Sequence, residues 1–81
     1  MELAEKIKSI VADTFELKYD EVTLDTSPSN TVLWDSFGQL ALISNIETKF
    51  NITLEYEEIF KVVSTKTLLE VVEDKLNENH K

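Results

Sequence analysis

One glycine and one proline in 81 residues leave this chain few means of making tight turns. Sheets joined by hairpins draw on both residue types, so the shortage disfavours an all-β fold and favours helices. Apolar spacing agrees. Leu3, Ile7, Ile10, Val11 and Phe15 recur at helical intervals, with Glu2, Glu5, Lys6, Lys8 and Asp13 on other faces. This predicts an amphipathic helix from Glu2 to Leu17. A polar stretch follows, from Lys18 to Asp35. Its core, Asp25-Thr26-Ser27-Pro28-Ser29-Asn30, is rich in turn formers and ends any helix. Tyr19, Val22 and Leu24 are apolar islands expected to pin this long loop to the helices. A connection of such length in a small domain is often functional.

Asp35 is placed to open a second helix, since its carboxylate can cap free backbone N–H groups. Phe37, Leu40, Leu42, Ile43, Ile46 and Phe50 give that helix a broad apolar surface, and Asn51 is a suitable stop. Ile52 and Leu54 lead to a short third helix near Glu57 to Val62. Ser64-Thr65 then caps a last helix from Lys66 to Asn77, with Leu68, Leu69, Val72 and Leu76 as its inner stripe. Thr67 and Glu70 have capping-box spacing and offer a start two residues later. The expected fold is all-α: one four-helix domain, long, long, short, long. Its expected core is Leu3, Ile7, Ile10, Val11, Phe15, Leu40, Ile43, Ile46, Phe50, Ile59, Leu68, Val72 and Leu76.

Charge narrows the functions. Sixteen acidic residues against eight basic ones leave a net charge of −8. Phosphate backbones and anionic membranes repel such a surface, so neither nucleic acid nor a membrane is an expected partner. Proteins with basic patches would be steered toward it. Residues 1–15 lack the apolar run of a signal peptide, and nothing approaches the ~20 apolar residues of a membrane span. A cytoplasmic monomer is the expectation. There is no cysteine, and the only histidine, His80, lies in the tail, where a catalytic base would be poorly held. Metal binding through nitrogen or sulfur is unsupported. Asp25, Ser27 and Ser29 alternate like calcium ligands, but the sixth position is Asn30 instead of glycine and the twelfth is Ser36 instead of glutamate. No acid–base pair or nucleophile–base pair is evident, so an enzyme is not expected.

What remains is Trp34-Asp35-Ser36-Phe37. Here the chain resembles the acyl carrier proteins, which have an Asp-Ser-Leu motif at the start of their second helix after a long loop. Asp35-Ser36-Phe37 stands in that place, with Phe37 in the leucine slot. The likeness spans nearly the whole chain: the first helix pattern, the long loop, Leu40 to Phe50, the Ile59 region and Ser64-Thr65. It implies that Ser36 takes a 4′-phosphopantetheine arm from coenzyme A. A separate phosphopantetheinyl transferase would do this, using Mg²⁺ to neutralise the pyrophosphate, and Asp35 would help hold that metal. The arm's thiol would carry cargo as a thioester, and acyl- or aminoacyl-loading and acyl-accepting enzymes would be the other partners. A serine at a helix start suits an added phosphate, because the positive helix end faces it.

The chain also departs from that family. Fatty-acid carriers have an acidic second helix, whereas Glu47 is the only acid from Ser36 to Phe50. Before Asp-Ser they mostly have a small residue, whereas Val32-Leu33-Trp34 is bulky. Trp34 is read either as a partner anchor or as packed on the loop. Gly38 is read either as room for an arm or partner, or as a position without side-chain demand. Trp34, Phe37, Gly38, Gln39 and Glu47 are the candidate partner-binding residues. The pattern Trp-Asp-Ser-Phe-Gly-Gln-Leu looks like stand-alone carriers of specialised pathways. The competing expectation is a carrier-fold interaction module that is never modified.

Overall fold

The structure is a computed structural model and describes residues 2–79. It is helical, and among the described residues there is no strand. Four α-helices follow one another: α1 (Glu2–Phe15), α2 (Ser36–Phe50), α3 (Tyr56–Phe60) and α4 (Thr65–Asn79). The loop between α1 and α2 holds two short 3₁₀ turns, Tyr19–Glu21 and Pro28–Asn30. His80 lies outside the described residues.

Helix ends follow local chemistry. α1 stops two residues earlier than periodicity suggests. Glu16 adopts a left-handed conformation (φ 58°), and Leu17 N–H reaches back to the Ala12 carbonyl at 2.9 Å. α2 closes the same way, with Asn51 left-handed (φ 55°) and Ile52 N–H donating to the Glu47 carbonyl at 3.1 Å. Asparagine announces such a stop; glutamate does not, and so the first one is invisible in the sequence. α3 begins earlier than expected, because Glu55 N–H is taken by the Glu58 carboxylate at 2.8 Å, and it ends earlier, at Phe60. At α4, Ser64 Oγ accepts the Thr67 N–H at 3.2 Å and Thr67 Oγ1 accepts the Ser64 N–H at 3.0 Å. That reciprocal cap uses up Thr67 and rules out the later start at Thr67-Glu70.

α1 packs against both α2 and α4. Ile7, Val11, Phe15, Ile43, Ile46, Leu68 and Val72 are buried as expected, and Leu3, Ile10, Phe50, Ile59 and Leu76 are partly buried against them. Leu40 is a correction: it is 63% exposed. The inward row of α2 runs through Leu42, Ile43 and Ile46, and Leu40 faces the gap toward α3 instead. The core gains Trp34, Ile52, Leu54, Val62 and Val71, which lie at or outside helix ends or off the chosen stripe.

The long loop is held differently from the expectation too. Val22 is buried, but Tyr19 and Leu24 are exposed. Backbone bonds do the work. The carbonyl of buried Thr26 accepts from Thr65 N–H at 2.8 Å and from Thr65 Oγ1 at 3.1 Å, and the Leu24 carbonyl accepts from Lys66 N–H at 3.1 Å. The loop is thereby stitched to the first turn of α4, whose free N–H groups need acceptors.

α3 is fastened to α4 by Lys75, whose Nζ lies 2.9 Å from Glu58 Oε1. The Glu58 carboxyl is held below its ordinary value of 4.5, chiefly by the Glu55 N–H, with Lys75 adding and partial burial opposing. A depressed carboxyl contributes stability above its ordinary pKa and loses it as pH falls through the folded-state value. Glu58→Gln should therefore unfold at lower urea than the parent at neutral pH, and the gap should close below pH 4.5. A gap that does not change with pH would contradict this assignment.

Candidate functional site

Ser36 is the first residue of α2 and is exposed. Its position is set from both sides. On one side Asp35 is the N-cap, in extended conformation, and its Oδ1 accepts the Gly38 N–H at 2.8 Å. The Asp35 carbonyl accepts the Gln39 N–H at 2.8 Å, which completes the first turn. Such a helix start leaves the Ser36 and Phe37 N–H groups without acceptors inside the helix. A phosphoryl group on the Ser36 hydroxyl would sit beside them and at the positive end of the helix.

On the other side stands Trp34. It is 2% exposed, and its ring stacks on Phe15 with centroids 5.0 Å apart. Its Nε1–H donates to Gln39 Oε1 at 2.6 Å. Gln39 Nε2 in turn donates to the carbonyls of Ile59 (3.3 Å) and Val62 (3.2 Å). One amide thus joins the segment before Ser36, the first turn of α2 and the far end of α3. A buried indole N–H without an acceptor would be costly, and Gln39 supplies the acceptor.

Of the five candidate partner-binding residues, the structure leaves Phe37 as the one that presents a large apolar side chain, 83% exposed. Of the two readings of Trp34, the packed one fits: it stacks on Phe15 of α1 and has almost no surface for a partner. Gln39 is turned inward to its three hydrogen bonds. Glu47 is half-buried, and its Oε2 accepts the Leu54 N–H at 2.9 Å, holding the α2–α3 connection. Gly38 is neither room for an arm nor a neutral position. A Cβ there would collide with the Leu33 carbonyl oxygen and come within 2.9 Å of the Phe15 ring.

A groove of about 630 Å³ runs beside Ser36, between the start of α2 and α3. Trp34, Leu40, Tyr56, Phe60 and Val63 are among its walls. Tyr56, Phe60 and Val63 are exposed large apolar residues that the sequence reading missed. Their adjacency depends on how α3 folds back on α2, which spacing within one helix does not reveal. Among the described residues no group of His, Cys, Asp or Glu could hold a metal ion, and no helix is long and apolar enough to cross a membrane.

The geometry offers a held, exposed hydroxyl beside an apolar groove. No protein-family model matches the chain. Known proteins do. The chain is 37% identical over 76 residues to the acyl carrier protein of Petrotoga mobilis, covering 94% of this chain and 89% of that one. The chain belongs to the acyl carrier protein family. The acyl carrier proteins of Cyanidium caldarium and Thermosynechococcus vestitus are each 28% identical, over 94% and 93% of this chain and 88% and 93% of their own. In structure the chain matches the holo acyl carrier protein from Geobacter metallireducens, with a TM-score of 0.85, 24% identity, and coverage of 99% of this chain and 92% of that one. As a member of that family the chain is a carrier and not an enzyme, and the group that the family carries is a covalently attached 4′-phosphopantetheine. The residues at the head of α2 fit that group: a hydroxyl free of the capping network, open helix N–H groups, and an apolar groove alongside.

Gly38→Ala tests how tightly this carrier's site is built. Alanine gains up to about 1 kcal/mol of helix propensity over glycine. Overpacking against the Leu33 backbone and Phe15 costs about 1–3 kcal/mol and should win. The variant should unfold at lower urea than the parent; equal or greater stability would contradict the close approach.

Proposed function

We propose that this acyl carrier protein holds an acyl or aminoacyl group as a thioester on an arm attached to Ser36, and serves enzymes outside core fatty-acid synthesis. The observation that carries the attachment is Ser36 itself, exposed at the first position of α2 while Asp35 caps the turn beneath it. In the transfer, the Ser36 oxygen forms a bond to the phosphorus that bears the pantetheine. The bond from that phosphorus to the rest of the coenzyme A pyrophosphate breaks, and 3′-phosphoadenosine 5′-phosphate leaves. The serine proton passes to a base of the transferase, since the described residues provide none beside Ser36 except Asp35, whose Oδ1 is committed to the Gly38 N–H. The chain's own part is to hold the hydroxyl at a fixed angle and to surround it with a surface that partners read.

That surface supports the specialised assignment. Beside Ser36 stand Phe37, Leu40, Tyr56, Phe60 and Val63, all exposed and apolar. The one acid of α2, Glu47, is engaged with the backbone ahead of α3. Partners that approach Ser36 therefore meet apolar and aromatic surface instead of a row of carboxylates, and their matching surface is apolar. The net charge of −8 acts at longer range, in steering.

Incubation with coenzyme A and a broad-specificity transferase, read by intact mass, tests the attachment. The parent should gain one phosphopantetheine and Ser36→Ala none. No gain by the parent with any transferase would leave the carrier fold as an unmodified interaction module. For the docking surface, Phe37→Glu should raise the transferase KM by about tenfold, the effect of losing roughly 1.4 kcal/mol of apolar contact, with kcat nearly unchanged. An unchanged KM would remove Phe37 from the interface.

A further inference from the structure

The groove beside Ser36 is open to solvent, and its floor is polar at one point. Trp34, Ile59 and Val62 line it, and the amide of Gln39 lies among them. Gln39 holds all three: Oε1 takes the Trp34 indole N–H at 2.6 Å, and Nε2 reaches the carbonyls of Ile59 at 3.3 Å and Val62 at 3.2 Å. Trp34 and Val62 are themselves 2% and 3% exposed, so these groups have little water to fall back on. The bundle interior is filled by core residues that include Leu42, Ile43, Ile46 and Leu68, each at most 4% exposed. An alkyl chain moving from the groove into the bundle must part α2 from α3 at this latch. It would break three hydrogen bonds and leave the indole N–H, the Gln39 amide and the Val62 carbonyl facing hydrocarbon, while the Ile59 carbonyl keeps the Val62 N–H at 3.0 Å. Leu40, Tyr56, Phe60 and Val63 form only the rim, all at least 58% exposed, and cannot enclose a chain.

We propose that Gln39 is a specificity-determining latch that bars hydrocarbon cargo from the bundle interior. Resting on the carrier reading of Ser36, it makes this protein a carrier for short or polar acyl groups whose thioester stays exposed to partners. A chain long enough to need shelter gains none here. The latch is a positioning residue toward the groove and touches no reacting atom. Its donors and acceptors all lie within residues that already wall the groove, so no other element has to move for it to act.

The test loads Ser36 from acetyl- and octanoyl-coenzyme A with a broad transferase, then follows thioester cleavage by hydroxylamine. A cargo sheltered nine-tenths of the time is cleaved about tenfold more slowly than an exposed one. In the parent, octanoyl and acetyl thioesters should be cleaved within about twofold of each other, the difference expected when neither is sheltered. In Gln39→Ala the octanoyl thioester should slow by about fivefold or more relative to acetyl, as the floor opens. Gln39→Met, which keeps volume and removes the hydrogen bonds, carries the same comparison where the alanine variant does not fold by circular dichroism. Octanoyl protection of about tenfold in the parent would overturn the latch, as would folded variants that shelter octanoyl no better than the parent. Failure to load any acyl-pantetheine onto Ser36 would instead strike the carrier reading.

Discussion

The 2.6 Å hydrogen bond from the Trp34 indole to Gln39 is the constraint on which the rest of the site depends. Trp34 arrives at the end of a long loop with few regular hydrogen bonds of its own. Stacking on Phe15 anchors the ring to α1, and Gln39 anchors its polar edge to α2. The same amide reaches α3 through Ile59 and Val62. Three helices are thus joined within one residue's reach of Asp35-Ser36. Truncating either partner would leave polar groups buried and unpaired, which costs more than the bond itself contributes.

Ser36 stands exposed beside residues that are held in place. Trp34 faces inward, Asp35 turns its carboxylate onto the helix start, and Gly38 lies against the Leu33 carbonyl. The hydroxyl is left exposed on a turn that the Asp35 cap holds in place. A carrier needs no reactivity of its own, so the structure spends its order on presentation. On the reading proposed above, the acidic surface and the exposed apolar residues divide recognition between them, long-range approach by charge and final contact by Phe37 and its neighbours.

Much of this was legible in the residues. Helical spacing placed α1, α2 and α4, and Asp35 and Asn51 marked both ends of α2, which puts Asp-Ser-Phe at a helix start. Legibility failed where a residue's role is set by something distant in sequence. Gly38 is demanded by a carbonyl five residues back and by a ring on α1. Gln39 looks like a surface glutamine until α3 brings two carbonyls to it. Glu47 looks like a docking acid until the Leu54 N–H is seen beside it. Trp34, with its bulky neighbours, left open a partner anchor or packing, and the anchor it provides is internal. Leu40 fitted the helical stripe, but α2 has apolar residues on more than one face, and periodicity alone does not say which face is the core.

The most direct measurement is the mass of the protein isolated from its own cells, followed by peptide mapping across residues 31–49. The account predicts that the peptide containing Ser36 bears a phosphopantetheine phosphodiester, with a short or polar acyl group on its thiol in the fraction still loaded. A Ser36 peptide that is uniformly unmodified, or an arm found on a different residue, would contradict it.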